Sequence, residues 1–216
     1  MHAAIRLLST ANVVGLLTVI LAFWFAIPQL LKLRRTRSTA GLSLDSLVNS
    51  SVSLTAWTVY GFACGNFWVI ASSIVGVPFA VLTLMYALKH GIARTRLIVP
   101  AVWCSLLVAT QVFDSIVGTR LIDLVLGCSI LWFVAPAAFK VWQSADISGL
   151  TIGTWVALLA EAALFGLYGA ITHVTADLVY AATCAAGATV VLLRVPFGSR
   201  DECDDCPPLR SCLCPA

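Results

Sequence analysis

Charged side chains are scarce: 13 Lys and Arg with 10 Asp and Glu make up 11% of the 216 residues. So little charge cannot cover a water-facing surface. With 60% hydrophobic residues and a mean hydropathy of +0.97, the composition describes an integral membrane protein and not a soluble domain. A formal net charge of +3 is too small for a nucleic-acid surface. Segments of about 10 residues with strict apolar–polar alternation are also missing, which excludes a transmembrane barrel. No His-x-x-x-His, Walker, Gly-x-Ser-x-Gly or dinucleotide signature occurs, so neither an enzyme nor a cofactor is expected.

What is present is apolar runs, at about Ala11 to Leu31, Leu44 to Phe62, Phe67 to Leu88, Leu97 to Phe113, Leu121 to Phe139, Thr151 to Ala170 and Ala176 to Val195. Each approaches the roughly 20 residues a spanning helix needs, so an all-α membrane protein of seven helices is expected. The first run ends in Lys32, Arg34, Arg35 and Arg37 and lacks a small-residue cleavage site, so it reads as a retained helix, not a removed signal. Basic residues follow alternate runs: the same cluster, then Lys89, Arg94 and Arg96, then Lys140, then Arg194, Arg200 and Arg210. Only Arg6 and Arg120 fall on the other side, which places the amino terminus outside and the carboxyl terminus in the cytoplasm. Asp114, Asp123, His173 and Asp177 gather at the outer ends.

The chain also repeats itself. At an offset of 108 residues, the separation of Pro28 from Pro136, Trp24 falls on Trp132, Phe25 on Phe133, Lys32 on Lys140, Gly41 on Gly149, Tyr60 on Tyr168 and Gly61 on Gly169. Coincident leucines would mean little, but Trp, Pro, Lys, Tyr and Gly at one offset mark an internal duplication. Three spans per copy would invert the second copy, and an intervening fourth span restores its orientation. The expected organisation is a first three-helix repeat over 11–88, a linker with the fourth helix over 89–120, a second three-helix repeat over 121–195 and a cytoplasmic tail over 196–216. Parallel repeats of this kind place a solute site near the midplane between the copies.

The stretch PQLLKLRRTRSTAGLSLDSL, Pro28 to Leu47, joins a Pro-Gln helix end, a basic loop and a Gly-Leu-Ser helix start. It resembles the PQ-loop superfamily and, within it, the SWEET-like seven-helix sugar carriers. PAAFKVWQSADISGLTIGTW, Pro136 to Trp155, is similar to a second copy, with Ala137 in place of the Gln. The resemblance implies a facilitative, bidirectional uniporter in the plasma membrane, moving a small neutral solute of the sugar class by alternating access. It also implies a tryptophan on the second helix of a repeat opposite an asparagine on the third. Trp57 and Ser73 best match those places, and the offset carries them to Phe165 and Ala181, so the asparagines are absent. PQ-loop carriers of the cystinosin type, which couple solute to protons, give an alternative reading with Glu161 or Asp177 as the titrating group. A non-transporting PQ-loop receptor or accessory protein is a third. The partners expected are a small solute, the bilayer and, as an open alternative, further copies of the chain in a homo-oligomer.

Individual residues sharpen these expectations. Pro28 and Pro136 each remove an amide donor and displace the carbonyl four residues back, at Trp24 and Trp132, so both helices are expected to bend at matched depths as gate hinges, with Gln29 satisfying a freed backbone group in the first. Gly41-Leu42-Ser43 and Gly149-Leu150-Thr151 read as helix starts, with Asp45 and Asp146 beside them. Glu161 sits about midway along its run, where a carboxyl is costly and usually faces a solute or proton path. Trp57 and Phe165 are expected to hold the solute, with Ser53, Ser72, Ser73, Tyr60 and Glu161 as polar contacts. Cys203, Cys206, Cys212 and Cys214 crowd the tail; zinc is chemically open to four thiols, but the one-residue second spacer departs from standard sites. No metal is expected there, and the tail reads as a disordered or lipidated segment.

Overall fold

The computed structural model describes residues 2–36, 39, 44–92, 97–143 and 152–198, and those residues are helical apart from short turns, with no strand among them. In chain order the helices are α1 (His2–Thr36), α2 (Leu44–Cys64), α3 (Phe67–Lys89), α4 (Ile98–Val117), α5 (Leu121–Gly127), a single 3₁₀ turn (Cys128–Ile130), α6 (Leu131–Gln143), α7 (Ile152–Thr172) and α8 (Thr175–Gly198). Among the described residues, four segments are long and apolar enough to cross a membrane: α3, α4, α7 and Thr175–Arg194 of α8. Shorter apolar stretches run over Thr10–Trp24 and Leu121–Ala135. The α3, α4 and α7 windows bury only 28% of their residues within the protein and the α8 window 33%. Large apolar side chains such as Ile116 at 78% exposure, Phe67 at 67% and Phe139 at 66% therefore point outward, which is a surface for lipid and not for water.

The fifth apolar run is not one continuous rod. Gly127 ends α5 because a side chain there would meet Val179 Cβ at 2.6 Å and the Ala176 carbonyl at 2.8 Å, so α8 packs hard against the helix backbone. The chain tightens into the 3₁₀ turn before resuming as α6. Thr183 Oγ1 on α8 donates to the Gly127 carbonyl at 3.1 Å, which supplies a partner at the break.

The repeat offset is visible in the turns. Between α2 and α3, Gly65 is left-handed at φ +63° and the Asn66 amide reaches back to the Gly61 carbonyl at 2.9 Å. Between α7 and α8, His173 is left-handed at φ +60° and the Val174 amide reaches the Gly169 carbonyl at 3.1 Å. Both are the same helix-ending motif, 108 positions apart. A Cβ on Gly61 would lie 2.9 Å from the Ile70 amide, and one on Gly169 would lie 3.0 Å from the Val174 carbonyl and 3.1 Å from the Leu178 amide. The paired glycines thus let the next helix start against the last turn of the one before. Asn66 caps α3, its Oδ1 accepting from the Trp68 and Val69 amides at 3.2 and 3.3 Å.

Asp114 does comparable work from a distance. At the end of α4 its carboxylate accepts from the Leu121 and Ile122 amides at 3.0 and 2.7 Å, and also from the Thr119 hydroxyl, so it closes the open amide end of α5. Asp114→Ala is expected to lower the thermal midpoint in detergent by about what a lost helix cap costs, with Asp114→Asn in between. Ala at the adjacent exposed Ser115, whose hydroxyl only bonds its own helix, serves as the control; an Asp114→Ala midpoint no lower than that control would refute the capping role.

Packing divides the helices into two sets. α3 lies between α1 and α2, and α8 lies between the broken α5–α6 rod and α7. Across the divide α1 touches α7, and α2 touches α5 and α6, while α4 packs on α2 and α5. Buried apolar residues form three clusters. The first joins both sets at one end, through Ala11, Trp57, Tyr60, Trp103, Leu126 and Tyr168. Towards the other end there are two separate clusters, one of Leu33, Leu44, Leu47, Ala87 and Ile92 in the first set, the other of Val134, Trp155, Leu158, Cys184 and Val191 in the second. The sets are fused at one end and parted at the other.

Candidate functional site

Between the parted clusters lies a cavity of about 830 Å³. Its walls come from α2 between Ser46 and Trp57, the middle of α3 from Ser72 to Thr83, the 3₁₀ turn with the start of α6, and α7 between Gly153 and Phe165, with Ala22 and Trp24 of α1 and Tyr180 of α8. It extends to Ser46 near the start of α2 and Gly153 near the start of α7. Those starts lie at the same end as Arg34 and Arg35 of α1 and Lys89 of α3. Of the seven residues expected to hold or contact the solute, six, Ser53, Trp57, Ser72, Ser73, Glu161 and Phe165, line this one cavity.

The α2 wall follows from helix periodicity. Asn49, Ser53 and Trp57 are four residues apart, so they stack on one face about 6 Å apart along the axis. Trp57 is 8% exposed, and its Nε1 donates to Ser129 Oγ in the 3₁₀ turn at 3.1 Å, linking the two helix sets. Its ring meets Tyr180 edge-on at 5.8 Å and Tyr60 at 5.9 Å. Ser53 Oγ accepts from Trp103 Nε1 on α4 at 3.0 Å. Ser72 and Ser73 hydroxyls donate to the Val69 carbonyl at 3.1 and 2.7 Å, the usual resting place of a hydroxyl in an apolar helix.

Opposite, Glu161 Oε1 accepts from the Tyr180 hydroxyl at 3.0 Å. The Phe165 ring lies 5.1 Å from the Tyr180 ring. Tyr180 therefore touches Trp57, Phe165 and Glu161 together, and it occupies the ground between the two aromatics expected to sandwich a solute. Sequence reasoning passed it over because its counterpart at the repeat offset is Ser72. It likewise passed over Asn49, whose counterpart is Ala157, and Ser129. Trp24 and Trp132 were visible as a repeated pair, and both line the cavity; their repetition was the signal that could have placed them there.

Tyr60, expected as a polar contact, lies in the fused apolar cluster and does not line the cavity. Asp177 is 0% exposed with both carboxyl oxygens unpartnered, and it too stands outside the cavity. Past Trp57 the fused end closes. Tyr168 on α7 donates its hydroxyl to Asn66 Oδ1 at the start of α3 at 2.7 Å, and Trp68 Nε1 donates to Asn12 Oδ1 on α1 at 2.9 Å. Pro28 and Gln29 lie within α1 and Pro136 within α6; their side chains lie outside the described residues. So do the helix-start motifs Gly41-Leu42-Ser43 and Gly149-Leu150-Thr151, Asp146, and the tail cysteines Cys203, Cys206, Cys212 and Cys214.

The apolar helices, together with a family-model match, support an integral membrane protein of a transporter-like or related kind. Over residues 10–70 the chain matches the family model of the PQ loop repeat, which spans α1, the loop after it, α2 and the start of α3. No curated protein and no solved structure matches the chain. The match supports the PQ-loop resemblance at the first of the two similar stretches.

Proposed function

We propose that this protein is a facilitative, bidirectional carrier of a small neutral solute of the sugar class, working by alternating access. The observation that carries the reading is the cavity itself: closed at one end by contacts that join the two helix sets, extending to the helix starts at the other, and lined by an aromatic and hydroxyl-rich wall. The contact pattern supports a seven-span, 3+1+3 arrangement in which α1, α2 and α3 answer to α5–α6, α7 and α8. In each set the third helix lies between the other two, and the crossing contacts α1 to α7 and α2 to α5–α6 exchange under the same correspondence. α4 then serves as the linker. The basic residues Arg34, Arg35 and Lys89, at the end of the bundle towards which the cavity extends but not in its lining, support a cytoplasmic opening in a plasma-membrane protein with an external amino terminus. Trp57, Ser53, Ser73, Glu161 and Phe165 would contact the solute, and Pro28, Gln29 and Pro136 would lie at the moving inner helix ends.

The Glu161–Tyr180 pair favours a second reading, a proton-coupled carrier of an amino acid or other small metabolite, because a carboxyl in a cavity wall is the group such coupling needs. Counterflow in proteoliposomes, run over a panel of sugars and amino acids with and without a pH gradient, tests both. Sugar exchange independent of the gradient is expected. Accumulation driven by the gradient supports the second reading, and no counterflow of any compound sinks both.

A further inference from the structure

The cavity's hydrogen-bonding groups are unequally engaged. Six donors in or against its wall already have partners inside the protein: the indoles of Trp57 and Trp103, the hydroxyls of Ser72, Ser73 and Thr83, and the phenol of Tyr180. Acceptors are left over. Glu161 has one oxygen bonded to Tyr180, and the second is bonded to no protein group that the structure shows. Asn49 is 7% exposed, lines the cavity, and its Oδ1 has no hydrogen-bond partner. No Lys, Arg or His is found among the described lining residues.

An amide oxygen kept dry and unpaired is a standing penalty, and a donor brought by a ligand removes it. The side-chain amide turns about a soft terminal torsion without moving the helix, and the cavity beside it supplies the room. Across the cavity the repeat counterpart Ala157 also lines the wall and offers no polar side-chain atom, so at that depth Asn49 has no rival acceptor on α7. Ser53 and Trp57 continue the same face above it. Trp57 lies eight residues from Asn49, just over two turns or about 12 Å along the axis, so a single sugar ring is read by Asn49 and Ser53 below the Trp57 ring, and a solute touching both ends of this face has the length of a disaccharide.

We propose that Asn49 is a specificity-determining residue which reads a hydrogen-bond donor of the solute, and that a wall carrying a carboxyl and no described cation admits neutral and cationic polyols and refuses their anionic forms. The inference rests on the reading of this cavity as the solute site. A carboxylate or phosphate entering would bring its charge towards the Glu161 carboxyl with no Lys, Arg or His among the described lining residues to hold it.

The test uses three sugars with the same ring and different charge, glucose, glucosamine and glucuronate, with binding to the detergent-purified full chain followed by equilibrium dialysis of the labelled compounds. Glucose and glucosamine should bind, with glucuronate at least about tenfold weaker. Asn49→Leu, similar in size but without an acceptor, should weaken glucose by about tenfold, the scale of one hydrogen bond to a buried acceptor. Asn49→Asp, which keeps an acceptor, should retain glucosamine. Equal binding of glucuronate and glucose, an Asn49→Leu affinity for glucose equal to wild type, or no binding of any of the three overturns the proposal. If Asn49→Leu does not fold, the charge series on the wild-type chain still decides. Charge-selective binding without counterflow would remove the carrier reading and leave the selectivity standing.

Discussion

Trp57→Ala is expected to weaken solute binding by about 5- to 150-fold, the range of about 1–3 kcal/mol that follows truncation of a buried aromatic anchor. The structure divides that loss into two parts. The ring presents a face to the cavity beside Tyr180, while Nε1 donates to Ser129 and holds the two helix sets together. Trp57→Phe keeps an aromatic face and deletes the donor, so binding should fall by less than about fivefold while the fused end loses a link. Equilibrium binding in detergent reads the first effect. Cysteine accessibility at the fused end reads the second, which should rise in both variants. If Trp57→Ala binds the transported solute like wild type, the pathway does not pass this wall.

The second large effect is conditional on mechanism. Glu161→Gln keeps the length of the side chain and an oxygen able to accept from Tyr180, and it removes only the capacity to release a proton. For a uniporter, counterflow should persist, altered by no more than the exchange of one solute-contacting hydrogen-bonding group, and should show no new pH dependence across the range in which the protein stays folded. For a proton-coupled carrier, accumulation driven by a pH gradient should vanish while counterflow survives. The same proteoliposome preparation measures both. Loss of counterflow at every pH would show that Glu161 serves the solute or the fold through its charge, and both readings would need revision.

Much of the architecture could be read from the sequence because membranes simplify the physics. A helix must satisfy its own backbone in lipid, so length and hydropathy alone located the runs now seen as helices, within a few residues at most ends. α1 is longer than its apolar run, reaching back to His2 and on to Thr36, because hydropathy marks the lipid-facing stretch and not the end of helical hydrogen bonding. The repeated Gly61 and Gly169 were legible as a pair, and their reason, a shared turn with the next helix pressed against it, needed coordinates. The cavity lining was legible where both halves carry an aromatic ring, at Trp57 and Phe165. It was illegible where one half departs: Tyr180 and Asn49 stand opposite small or apolar counterparts, so no pattern announced them. The 3₁₀ break was missed for a related reason. Gly127 looks like any small residue in a membrane helix until Val179 is found against it.

That break has a mechanical consequence. α1 runs unbroken from His2 to Thr36, but its counterpart is two rods meeting at Cys128–Ile130, at the level where Ser129 receives the Trp57 indole. Both rods are held to α8: α5 presses Gly127 against Val179, and α6 presses Val134 on Gly187, where a Cβ would collide with Val134 Cγ1, while Trp142 Nε1 donates to the Val190 carbonyl at 3.1 Å. The joint between the rods therefore lies in the cavity wall at Ser129, where the indole from the other helix set crosses to it, so any change of angle between α5 and α6 has to carry α8 along or give up one of its two grips.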